Sequence, residues 1–243
     1  MYLRRASDVI GLCVTSNELQ HFINSRRCSQ GGKHAYFRHL KAFYNWLYSR
    51  KSVYNQNPQS NPILAIDPPK VERKILPSLT IEQIANLITA SNTIRDKCII
   101  SLFADSGLRL AELASIRNQD IDWENHTITV WGKGNKQRKA PFTGKTASLL
   151  RNWLGNNGHS QGIWGINSRG ISIMLERLGQ GMRIKCNPHV FRRGFACNLH
   201  RKGLSTLDIM HLGGWSSLSM VLKYCQSISF EDCLKHYRKI EGN

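Results

Sequence analysis

The chain has 243 residues, 41% hydrophobic and 21% charged, enough for one large domain or two small ones with a real core. Lys and Arg number 34 against 16 acidic residues, a formal charge of +18, so the expected partner is a polyanion, with nucleic acid first. The basic residues are spread along the chain, and no run approaches the ~18 apolar residues of a membrane span, which argues against a membrane partner. Seven cysteines, an odd number with no CxxC pair, argue against a zinc site or a disulfide framework. With no signal-peptide pattern at the N-terminus, the expected location is a reducing one, the cytoplasm, in association with the nucleoid.

In chain order, "YFRHLKAFYNWLYSRK" (36–51) places Phe37, Leu40, Phe43, Tyr44 and Leu47 at helical spacing, with Arg38, Lys41, Arg50 and Lys51 between or just beyond them. The following "NQNPQSNPILAIDPPKVERKILP" is rich in Pro and Asn and reads as a linker, with a domain boundary near 67–78. Thr80 and Gln83 form a capping box ahead of a helix. "TIRDKCIISLFADSGLRLAELASI" reads as a helix broken at Gly107 and restarted around Arg109. Thr127 to Trp131 and Gln137 to Phe142 read as strands around a Gly-rich turn. Helical stretches follow at about 145–156, 169–179, 188–202, 205–212, 216–225 and 229–240. The expected fold is mainly α with a small antiparallel β-sheet (α+β), in two domains at 1–70 and 78–243.

Familiar cofactor sites are missing from the sequence. "TGKT" (143–146) ends like a phosphate-binding loop, but Lys139 stands where its first Gly would be. There is no HExxH, no GxGxxG and no paired-carboxylate pattern, and nine His are scattered without ligand spacing. The expectation is chemistry with no metal and no cofactor.

Four segments remain. "SGLRLAEL" sets Arg109 and Glu112 three residues apart, which also fits an ordinary surface ion pair. "WGKGNKQRKAPF" carries Lys133 and Lys136 at a hairpin tip, which also fits a solvated basic turn. "HVFRRGFA" puts His189 and Arg192 on one side of a helix that Asn187 can cap and Pro188 can start. "LGGWSSLSMVLKY" separates Trp215 and Tyr224 by nine residues, and both also fit a buried core.

In this order and spacing the four segments resemble the boxes of the tyrosine recombinases, or phage-type integrases, over residues 78–228. "HLKAFYNWLYSRK" and "NPILAIDPPK" are similar to that family's helical core-binding domain, which with the catalytic domain clamps DNA. The resemblance implies catalytic roles for Arg109, Lys133, His189, Arg192, Trp215 and the nucleophile Tyr224, with Glu112 supporting. Trp215 stands where many members have His. Arg193 stands where His is commoner and Gly194 where Thr is, and neither departure is expected to abolish the chemistry. Lys136 competes with Lys133 for the lysine role. Arg38, Lys41, Lys136, Arg138 and Arg193 are expected to meet DNA.

The implied reaction cuts and rejoins double-stranded DNA through a 3′-phosphotyrosine, exchanging strands in turn through a Holliday junction. Its implied partners are a homotetramer on two duplexes and an accessory DNA-bending or directionality factor. Without a metal, guanidiniums that present paired N–H donors and stay protonated must hold the phosphate charge. A type IB topoisomerase and a DNA-binding protein that does not cut are the competing readings. The amphipathic tail "SFEDCLKHYRKIEGN" is left open between packing on its own chain and docking on a neighbour.

Overall fold

The computed structural model describes residues 3, 14–49, 57–72, 76–132, 137–155 and 162–241. The chain divides into two compact units, Met1–Lys74 and Ile75–Asn243.

In the first unit, helix α1 (Ser16–Asn24) opens with a capping box between Thr15 and Glu18, a start that the sequence reading did not pick out. Helix α2 (Gln30–Leu47) starts at Ser29, whose Oγ accepts from the Gly32 N–H, and so begins two turns earlier than periodicity suggested. Its Phe37, Leu40, Tyr44 and Leu47 meet Leu19, Phe22 and Ile23 of α1 in one core. Ile63 and Ile66 complete that core, so part of the supposed linker is structural. The Asn-Pro pairs that read as linker are the starts of two 3-10 turns. Asn57 and Asn61 cap them, and Pro58 and Pro62 take the first helical positions.

The second unit opens with α3 (Ile81–Ala90), capped reciprocally by Thr80 and Gln83 at 3.0 and 3.1 Å. Helix α4 (Ile94–Ser106) is buried at every residue from Cys98 to Phe103 and packs on four other helices, which makes it the axis of the unit. It ends at Gly107, left-handed at φ +55°, before the short α5 (Leu110–Ala114). A three-stranded antiparallel sheet follows in the order β1 (Ile121–Asp122), β2 (Thr127–Trp131), β3 (Gln137–Pro141). The β2–β3 register pairs Thr127 with Pro141 and Trp131 with Gln137.

Helix α6 (Gly144–Gly155) begins in the TGKT stretch. There the Asp105 carboxylate accepts from the Thr143 N–H and hydroxyl, both at 2.8 Å, and from the Thr146 hydroxyl at 2.6 Å. A carboxylate thus occupies this helix start. Helices α7 (Ser168–Met182), α8 (Pro188–Arg201), α9 (Thr206–Gly213), α10 (Leu218–Tyr224) and α11 (Phe230–Ile240) complete the unit.

Phe103 of α4 stacks on Phe191 of α8 with ring centroids 5.6 Å apart. Burying side chains of this size stabilises the fold by about 1.5–3 kcal/mol each. A smaller cluster of Phe195, Ala196, Ile209, Trp215 and Val221 joins α8 to α9 and α10. The two clusters meet along α8, and the charged residues between them form the site.

Gly107 serves both packing and conformation. A Cβ there would lie 2.6 Å from the Phe195 ring, on a backbone that L-residues avoid. Gly107→Ala is expected to destabilise the second unit by about 2 kcal/mol, read as a fall in the urea midpoint. An unchanged midpoint would mean that Phe195 moves aside without loss.

Candidate active site

Helix α8 is buried at every residue from Val190 to Cys197, including Arg192 and Arg193. An unpaired cation buried there would cost several kcal/mol, so each guanidinium needs acceptors. Arg192, 4% exposed, donates through Nη1 to Gly107 O and through Nη2 to Gly213 O at 2.8 Å. These carbonyls sit at the C-terminal ends of α4 and α9, where a helix leaves carbonyls unpaired and its dipole is negative. The Arg192 Cζ also lies 4.3 Å from the centroid of the Trp215 ring.

The end of α9 is built for this approach. Gly214 is left-handed at φ +63°, and the Trp215 N–H returns to Met210 O at 3.0 Å, which closes the helix. A Cβ on Gly213 would fall 1.9 Å from the Trp215 ring, and one on Gly214 would fall 2.3 Å from Arg138 Cδ. The two glycines let an indole and a guanidinium pass either side of the turn.

Glu112, 2% exposed, is the acidic centre. Its Oε1 pairs with Arg109 Nη1 at 2.5 Å, and its Oε2 accepts from the Arg109 backbone N–H at 2.8 Å and from Arg138 Nη2 at 2.9 Å. Arg138 also donates through Nη1 to Leu212 O at 3.1 Å, and Arg109 through Nη2 to Gly214 O at 3.4 Å. Burial works to raise the Glu112 carboxyl, but the Arg109 N–H and the Arg138 guanidinium outweigh it and hold it below the usual carboxylate value. Arg192 is pushed down to about 10 by burial first and then by the Arg109 and Arg138 charges, with Glu112 and Tyr224 opposing. It remains a cation at neutral pH. The cluster therefore sets the charges of Arg109, Arg138 and Arg192 against the single carboxylate of Glu112, and is left positive.

Tyr224, half-buried at the end of α10, places its ring 5.5 Å from that of Trp215. Its backbone carbonyl accepts from the Cys197 thiol of α8 at 3.2 Å. The Trp215 Nε1 is buried and finds no hydrogen-bond partner among the described residues. His189 stands exposed in the first turn of α8, one turn before Arg192.

The structure thus brings together Arg109, Glu112, Arg192, Trp215 and Tyr224, with His189 on the same helix as Arg192. Lys133 and Lys136 lie outside the described residues. Arg38 and Lys41 are exposed on α2 of the first unit. Arg193 and Arg138, both expected to face DNA, are turned inward. Arg193 is 7% exposed and donates through Nε to Pro77 O at 2.7 Å. Arg138, expected at the DNA surface, instead reaches Glu112 and Leu212, partners far away in the chain that its place on an alternating strand does not reveal. The missing Cβ of Gly194 would lie 2.9 Å from Leu79 O, so the glycine lets α8 seat against the segment that Arg193 grips. Among the described residues no three His, Cys, Asp or Glu side chains group as metal ligands, and no helix is long and apolar enough to cross a membrane.

These features define a class: a mainly helical domain with a small sheet that gathers arginines from separate segments beside a tyrosine. The chain belongs to the phage integrase family, the tyrosine recombinases, whose sequence model matches residues 77–229. It is 28% identical over 211 residues to the tyrosine recombinase XerC of Xanthomonas campestris pv. campestris (strain B100), covering 81% of this chain and 64% of that one. It is 31% identical over 172 residues to the tyrosine recombinase XerA of Saccharolobus solfataricus, covering 70% of this chain and 59% of that one. The chain therefore spans less than two thirds of either relative.

Among solved structures, its fold is similar to that of the XerH site-specific recombinase bound to a palindromic difH substrate, with a TM-score of 0.74 and 18% identity. That likeness covers 97% of this chain and 75% of the other. The Tn1549 transposon integrase in complex with transposon right end DNA is also similar, with a TM-score of 0.71 and 17% identity over 99% and 91% of the two chains.

The depressed carboxyl of Glu112 sets a sign. Its stabilising contribution is present above the unfolded carboxylate's pKa and is lost as pH falls through the lower folded value. The urea midpoint is expected to decline as pH falls below about 5. Glu112→Gln should lower it at neutral pH and flatten that acid limb. An acid limb of unchanged steepness in the variant would remove Glu112 from this account.

Proposed function

We propose that this protein cuts and rejoins double-stranded DNA at specific sites, with Tyr224 as the nucleophile. The observation that carries the reading is the cluster of guanidiniums, in excess of its one carboxylate, that reaches Tyr224 through the Trp215 ring. Such a cluster suits a phosphodiester whose charge must be held as it concentrates in the transition state.

Arg192 is positioned by two carbonyls that take only part of its N–H set, and Arg109, 44% exposed at its side chain, can meet a phosphate from the solvent side. The unpaired Trp215 N–H suits a phosphate oxygen as acceptor. The Tyr224 oxygen attacks phosphorus and the bond to the 5′-oxygen breaks, leaving a 3′-phosphotyrosine and a 5′-hydroxyl. A phenol loses its proton only near pH 10 in water, and His189 takes that proton as base or relay. Lys133, with Lys136 as its competitor, protonates the departing 5′-oxygen. Attack by another strand's 5′-hydroxyl reverses the step, so no nucleotide is needed.

In the same reading, four protomers on two duplexes exchange strands through a Holliday junction, with a DNA-bending or directionality factor as a further partner. The protein works in the cytoplasm on nucleoid DNA. The first unit is the core-binding domain, and the exposed Arg38 and Lys41 of α2 support its contact with DNA. Helix α11 is tied to α8 of its own chain by Arg201 and Asp232 at 3.1 Å, while Phe230 and Tyr237, 74% and 60% exposed, leave an apolar face for a neighbour.

The test is covalent capture on nicked duplex fragments of the host genome and of its mobile elements, without metal or nucleotide. An SDS-resistant protein–DNA band is expected from the native chain and none from Tyr224→Phe. A band of equal strength from the variant, or none from either protein while duplex binding is tight, would sink the proposal.

A further inference from the structure

Arg138 belongs to no expected catalytic set, yet it reaches Glu112, Leu212 and Gly214 from β3. It is the second residue of β3. Its Nη2 pairs with Glu112 Oε2 at 2.9 Å, and Glu112 in turn holds Arg109 through side chain and backbone. Its Nη1 donates to Leu212 O at 3.1 Å, in the turn that delivers Trp215. Its Cδ fills the space where a Cβ of Gly214 would sit. The side chain is 14% exposed, and its Nε is buried with no partner among the described residues.

A guanidinium so placed spans three chain segments at once, and its planar fork fixes their spacing. Of its five N–H groups, one on Nη1 and one on Nη2 are committed to protein acceptors on two other segments, and the Nε–H is enclosed.

We propose that Arg138 is a positioning residue. It locks the strand returning from the lysine hairpin, the Glu112–Arg109 pair and the Leu212–Trp215 turn into one register, and it does not contact DNA. The role rests on the DNA-cutting function proposed above and deepens it. Strand β3, the Glu112–Arg109 pair and the Leu212–Trp215 turn come from separate stretches of chain, and Arg138 is where those stretches are joined. Loss of the fork lets Arg109 and Trp215 drift, and displacement on the scale of an ångström is enough to slow a positioned reaction on the order of 10²-fold.

The experiment compares Arg138→Gln and Arg138→Lys with the native chain in two assays. The first is duplex binding across a salt series, which needs no cleavage. A lost phosphate contact would reduce the salt slope by about 0.9, whereas a positioning residue leaves slope and affinity unchanged. The second is the rate of covalent-complex formation at saturating DNA, expected to fall about 100-fold in both variants. Lys is not expected to rescue, because one ammonium cannot reproduce a fork between Glu112 and Leu212. Adding Arg109→Gln to Arg138→Gln should slow cleavage little beyond Arg109→Gln alone, since both act through one network.

A reduced salt slope, cleavage restored at saturating DNA, or a rate loss no larger than the unfolded fraction seen by urea titration would each overturn the proposal. If the native chain forms no covalent complex, the cutting function falls. The salt series still decides whether Arg138 meets DNA.

Discussion

The site depends on the seating of guanidiniums against carbonyls at helix ends. Gly107 closes α4 and Gly213 is the last residue of α9, and Arg192 spans their two carbonyls. A carbonyl is a neutral acceptor. It fixes a guanidinium's position and offsets its desolvation, yet leaves its charge in place, whereas a carboxylate partner would cancel it. Where the structure does use a carboxylate, at Glu112, it is shared between Arg109 and Arg138. The arrangement therefore holds arginines rigidly and keeps the region electropositive, two requirements that ordinary ion pairing sets against each other.

That seating is possible only because the apolar framework brings two helix ends together. The stacked Phe103 and Phe191 fix α8 against α4, and Arg192 is the next residue along α8. Phe195, one turn on, occupies the space left open by Gly107 and approaches Trp215 with ring centroids 6.2 Å apart. From Trp215 the packing continues to Tyr224. Two groups of aromatic rings, one on either side of Arg192 along α8, thus lead from the buried axis of the unit to its tyrosine. The glycines at 107, 213 and 214 are the points where those rings and the arginines cross the backbone.

Much of this was legible in the sequence, because periodicity, caps and box spacing are local. The break at Gly107, the β2 and β3 strands, the capping box of α3 and the helices after β3 follow from residues within a few positions of each other. The grouping of Arg109, Glu112, Arg192, Trp215 and Tyr224 was legible only through the spacing of four boxes. What the sequence concealed is non-local or written in backbone atoms. Nothing near Arg138 indicates that its partners are Glu112 and Leu212, and nothing near Arg193 points to Pro77 O. The Asn-Pro pairs at 57–58 and 61–62 misled because one dipeptide serves a linker and a capped turn equally well, and only the burial of Ile63 and Ile66 separates them.

The mutual repulsion that lowers the proton affinity of Arg192 persists for as long as the cluster holds no anion. An anion seated beside Arg109 and Arg192 would oppose those charges while leaving the aromatic packing untouched. Folding and occupancy are then linked: whatever binds the native cluster and not the unfolded chain raises the free energy of unfolding by mass action. A polyanion that bound this cluster would therefore also raise the chain's resistance to heat.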